Sequence, residues 1–62
     1  MVNLRALREE RGLRQEDVAQ RLEVDQSTVS LWEARNAVPL EKYRRKIAAL
    51  YNVTIDELLK EE

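Results

Sequence analysis

The side chains with chemical reach in this chain are glutamines, serines, arginines, lysines and carboxylates; histidine and cysteine are both absent. That absence removes thiol nucleophiles, imidazole acid–base chemistry, disulfide staples and the usual zinc ligand sets. One carboxylate pair, Glu16 and Asp17, stands side by side. Adjacent helical residues diverge by about 100°, so the two do not converge on a substrate; they suit the positive end of a helix dipole instead. Catalysis has no residue set to run on, and the chain reads as a non-enzyme with no cofactor and no metal. A different chemistry is open to Gln15 to Trp32, the stretch Q-E-D-V-A-Q-R-L-E-V-D-Q-S-T-V-S-L-W. With Val29 and Trp32 inward on a helix, the opposite face carries Ser27, Ser30, Leu31 and Ala34, and Gln26 reaches round from the N-terminal end. Such small or uncharged groups suit close approach to base edges, where Gln pairs with adenine and apolar groups meet thymine methyls.

Five helical segments must position that face. Leu4, Leu7 and, more weakly, Arg11 share one side of a first helix that Asn3 caps and Gly12 stops. A second starts near Gln15 and turns Val18, Ala19 and Leu22 inward, with small Ala19 where two helices approach. Val24 then interrupts the pattern, and Asp25 is the N-cap candidate for a third helix reaching about Ala34. Trp32 lies three residues after Val29, which makes it a core residue rather than a stacking platform. Arg35 to Pro39 is a loop, because the residue before proline is biased away from the helical region. A fourth helix begins near Leu40 and buries Tyr43, Ile47 and Leu50. Thr54 with Glu57 forms a capping box for a fifth, whose inward residues are Ile55, Leu58 and Leu59.

With 62 residues, the chain has room for one small domain, residues 1–62, burying about 60% of its unfolded surface. At 44% hydrophobic and 37% charged residues, it is too apolar for disorder and too charged for a membrane span. No apolar signal-peptide stretch opens it, so a soluble, cytoplasmic, all-α protein is expected. The net charge is only −1, but the charge is unevenly placed. Arg35, Lys42, Arg44, Arg45 and Lys46 stand against Glu41 alone, a local +4, while Asp56, Glu57, Glu61 and Glu62 outweigh Lys60 to give −3.

The assembled pattern resembles the XRE-like helix-turn-helix family, the DNA-binding domains of phage repressors and Cro proteins. The resemblance rests on L-R-A-L-R-E-E-R-G-L-R-Q before the motif, V-S-L-W-E within it, Pro39 after it and L-Y-N-V-T-I-D-E-L-L at the end. It implies a compact five-helix, lambda-repressor-like fold with the motif at about residues 15–34. It also implies a double-stranded DNA partner, homodimeric binding to a palindromic operator, and the third helix in the major groove. By position, Gln26, Ser27 and Leu31 match the family's base-reading residues, with Thr28 and Ser30 in support. Gln15 matches a phosphate-binding residue, and Arg8 with Glu33 matches a partly buried ion pair. Arg14, Arg35, Lys42, Arg44 and Arg45 are the further phosphate candidates. A prokaryotic or phage-encoded, nucleoid-associated repressor is the expectation that follows.

Three positions depart from the family pattern. Glu23 replaces the turn glycine, at a strain of roughly 1 kcal/mol if its backbone is left-handed. Arg14 replaces a Ser or Thr cap worth about 1 kcal/mol. Arg35 stands where glycine commonly follows W-E-x. A different class of function keeps the fold but docks a protein through the exposed third helix, as an antitoxin or adaptor does. The near-neutral total charge favours that alternative; the +4 segment and the uncharged helix face favour DNA. Dimer contacts are expected at Tyr51, Asn52 and the fifth helix.

Overall fold

Local signals start and stop the helices. In the computed structural model, which describes residues 1–61, they are α1 (Leu4–Glu10), α2 (Gln15–Leu22), α3 (Gln26–Arg35), α4 (Glu41–Leu50) and α5 (Ile55–Leu59). Glu62, counted above in the acidic end, lies outside the described residues. The Asn3 side chain accepts the Ala6 N–H at 2.9 Å, removing one of the unpaired amides of the first turn. The Thr54 hydroxyl accepts the Glu57 N–H at 3.0 Å, and Glu57 Oε1 accepts the Thr54 N–H in return. Asp25 occupies the N-cap backbone position of α3, but its side chain makes no cap hydrogen bond. At α2 the missing Ser/Thr cap is partly replaced, because Asp17 Oδ2 accepts the Arg14 N–H at 2.8 Å.

Four helices end in one way. After α1, α2, α3 and α4 a residue with positive φ reverses the chain: Gly12 (+68°), Glu23 (+58°), Asn36 (+49°) and Asn52 (+56°). At each end the residue after it donates its N–H to the carbonyl five residues back, from Leu13 to Arg8, Val24 to Ala19, Ala37 to Trp32 and Val53 to Ala48. These are Schellman motifs, which satisfy the last carbonyls of a helix and favour Gly or Asn at the left-handed position. Glu23 alone breaks that preference. The end of α3 corrects the expectation for Arg35: α3 includes it, and the left-handed residue is Asn36. The Asn36 side chain then ties the chain start to this corner. Its Oδ1 accepts the Leu4 N–H at 3.1 Å, and its Nδ2 donates to the Met1 carbonyl at 2.9 Å.

Among the described residues there is no strand, and the packing follows from the buried set. Leu4, Val18, Ala19, Leu22, Val29, Trp32, Val38, Ile47, Ala48, Tyr51 and Leu58 form one core. α2 packs on α3, α4 on α5, α1 on α3 and α2 on α4. Trp32 meets Tyr43 at 5.3 Å between ring centroids in a tilted arrangement, so it fills the core and is no platform for a base. Two expectations change, Leu59 inward and Tyr51 at a dimer contact. Leu59 is 40% exposed, because a helix of only five residues turns Leu58 fully inward and leaves its neighbour 100° away. Tyr51 is 2% exposed and cannot meet a partner subunit. Its side chain closes the base of the core, with the Arg11 guanidinium 5.5 Å from its ring centroid. No described helix is long and apolar enough to cross a membrane.

Candidate nucleic-acid interface

α3 owes its outward face to the corner it makes with α2. Val29 and Trp32 are drawn into the core, so helical geometry leaves Gln26, Ser27, Ser30, Leu31 and Ala34 exposed together. Leu31 is 47% exposed, an apolar side chain kept in water on a face without a charge until Arg35. Thr28 is half-buried at the edge of this face. The structure thus brings Gln26, Ser27, Ser30 and Leu31 onto one surface and sets Thr28 partly behind it.

A part-buried ion pair ties α3 to α1. Arg8 on α1 donates from Nε to Glu33 Oε2 at 2.6 Å and from Nη2 to Glu33 Oε1 at 3.1 Å. The two side chains are only 11% and 7% exposed. Arg8 Nη1 also donates to the Leu13 carbonyl at 2.8 Å, so one guanidinium joins α1, the α1–α2 loop and α3. The bond to Glu33 raises the Arg8 pKa above its ordinary value, against the opposing effect of burial. Gln15, the first residue of α2, donates from Nε2 to Glu33 Oε1 at 3.1 Å. Its amide thereby bridges the start of α2 to α3.

The cationic candidates differ in how far they are committed. Arg14 is exposed at the start of α2, pairing with Glu16 at 3.1 Å and lying 3.6 Å from Asp17. Arg35 is exposed at the end of α3. Arg45 is exposed and pairs with Glu41 one turn earlier at 3.1 Å, a surface contact that a competing anion displaces at little cost. Lys42 is exposed with its Nζ 5.1 Å from the Tyr43 ring centroid, and Lys46 holds the same ring at 5.6 Å. Arg44 is half-buried and donates from Nε to the Val38 carbonyl at 2.6 Å. Its first task is therefore to fasten the loop before α4. Arg5 on α1 was not singled out by spacing, yet it lines an open cleft with Gln15 and Ser30. The sequence signal was present only as an arginine three residues before Arg8. No group of His, Cys, Asp and Glu among the described residues is arranged to hold a metal ion.

A helix-turn-helix family model matches residues 4–58. The chain is also 37% identical over 59 residues to the HTH-type transcriptional activator BcrR of Enterococcus faecalis, an alignment covering 95% of this chain and 29% of that protein. No solved structure matches. The chain belongs to the helix-turn-helix family. It spans less than a third of the length of the activator it matches.

Proposed function

We propose that this domain reads a specific double-stranded DNA site for a transcriptional regulator, with α3 in the major groove. The observation that carries this is the outward face of α3, where exposed, uncharged Gln26, Ser27, Ser30 and Leu31 sit together on a helix tied to α1 by a part-buried ion pair. Gln26 offers the bidentate amide that matches adenine, and Leu31 offers an apolar contact for a thymine methyl. Thr28 supports from the edge. Gln15, Arg14, Arg35, Lys42 and Arg45 supply phosphate contacts around that face, and Arg44 adds the N–H groups not spent on Val38. One domain of this size reads only a few base pairs, so it binds as a homodimer on a two-fold operator, with half-sites about 10–10.5 base pairs apart. Asn52 and the exposed Leu59 of α5, beside half-buried Ile55, provide the surface for that dimer.

The sign of regulation is set by where the operator lies relative to the promoter. The expected repression has no residue of its own behind it, and the relative is named an activator. The domain's task is the same in either case. Exposed Leu31 is also what a protein-docking role would use. Selection of bound duplexes from a random pool, followed by anisotropy titration of the recovered sequence against salt, separates the two. A two-fold consensus with steeply salt-dependent affinity is expected. No measurable affinity for any duplex at low salt overturns DNA reading and leaves the docking role.

A further inference from the structure

The geometry points to a phosphodiester-binding site between α1 and α3, with Arg5 as its cation. An open cleft of about 470 Å³ is lined by Arg5, Arg8, Gln15, Ser30, Glu33 and Ala34. Ser30 and Ala34 belong to the outward face of α3, so the cleft opens beside the surface proposed to enter the groove, and Arg5 stands on its other wall. The lining charges sum to +1, because Arg8 is neutralised by Glu33. That matches the single negative charge of a phosphodiester. The lining residues carry donors, namely the Arg5 guanidinium, the Ser30 hydroxyl and the second amide hydrogen of Gln15, whose first is held by Glu33. The Arg5 side chain is 69% exposed, and its one ion pair among the described residues, to Glu9 at 3.5 Å, joins two side chains in water. Such a pair is weak, so the guanidinium is available to an anion that arrives with the DNA. Arg8 cannot play this part, since three of its hydrogen bonds are already committed inside the protein.

This site rests on the proposed DNA reading and adds a contact to it. The test is anisotropy titration of the 62-residue chain against its selected duplex from 50 to 200 mM salt, for wild type, Arg5→Ala, Arg5→Lys and Arg21→Ala. Arg21 lines a separate groove with Lys46 and Leu50 and controls for overall charge. Arg5→Ala is expected to lower the salt slope by about one per subunit and to weaken binding about eightfold per contact at 0.1 M salt, with the base preference unchanged. Arg5→Lys should keep the slope, and Arg21→Ala should behave as wild type. Circular dichroism melts establish that every variant is folded. A folded Arg5→Ala with the wild-type slope overturns the site while leaving the DNA reading intact, and so does an equal fall in Arg21→Ala. A wild type that binds no duplex overturns both.

Discussion

Replacing Glu23 by glycine should stabilise this domain, and the structure says by how much. Glu23 is held at φ +58°, ψ +44°, with its own N–H donated to Gln20 and that of Val24 to Ala19. The turn cannot relax without losing both bonds. A left-handed residue with a Cβ carries roughly 1–2 kcal/mol of strain, which glycine does not. Against this stands the larger unfolded-state entropy of glycine, about 0.4–1 kcal/mol. A carboxylate beside the negative end of α2 adds a further penalty of about 0.3 kcal/mol, removed in the same step. The net gain is on the order of 0.5–1 kcal/mol, a rise of about 2–8 °C in Tm for a domain this small. Glu23→Ala separates the contributions, because it removes the charge and keeps the strain; it should gain only a few tenths of a kcal/mol. Gly12→Ala is the reverse experiment. An added Cβ at Gly12 meets nothing within 4 Å, so its cost is the backbone alone, and a loss of about 0.5–1 kcal/mol is expected. Urea melts of the three variants decide the matter. A Glu23→Gly domain no more stable than Glu23→Ala would show that the strain of the left-handed turn does not exceed the entropy cost of glycine, and the reasoning fails.

Gln26→Ala should lose about 1–3 kcal/mol on the preferred site and relax one or two positions of each half-site, read by repeating the selection; an unchanged consensus would mean α3 is docked differently. Arg45→Ala should weaken all sequences alike and lower the salt slope by about one per subunit. Arg8→Met leaves the part-buried Glu33 carboxylate with only the Gln15 amide and should cost about 1–3 kcal/mol in a urea melt, while the double variant Arg8→Met, Glu33→Leu should recover much of it. Burial pushes the Tyr51 hydroxyl up to about 12, with the Glu33 charge adding to the shift. The folded state therefore keeps its proton where the unfolded chain loses it near pH 10, and the associated stability is full below pH 10 and lost as pH rises towards 12. That loss is on the order of 2–3 kcal/mol, and a Tyr51→Phe domain should not show it in alkaline melts.

The sequence by itself determined the five helices, because the signals that start, stop and face them are local. Asn3 and the Thr54–Glu57 box are caps within one turn of the amides they serve, and the inward faces repeat at the helical period. The outward face of α3 was legible for the same reason: once Val29 and Trp32 are inward, helical geometry places Gln26, Ser27, Ser30 and Leu31. Glu23 could be marked as a strained turn because it stands where the family that the sequence resembles carries glycine.

Only the tertiary structure decided what depends on distant neighbours. Val38 lies in a loop that periodicity cannot score, yet it is fully buried because Arg44, six residues on, fastens its carbonyl. Tyr51 reads as a surface aromatic after α4, but Arg11, forty residues earlier, donates to its carbonyl at 2.8 Å and covers its ring. The left-handed residue after α3 is Asn36 rather than Arg35, since only an amide side chain there can bind both Leu4 and Met1. Arg5 and Ser30 come to one cleft through the crossing of α1 over α3, and no spacing along the chain encodes that angle. The crossing brings together the Arg8–Glu33 pair and the core side chains Leu4, Val29 and Trp32, which are distant in sequence.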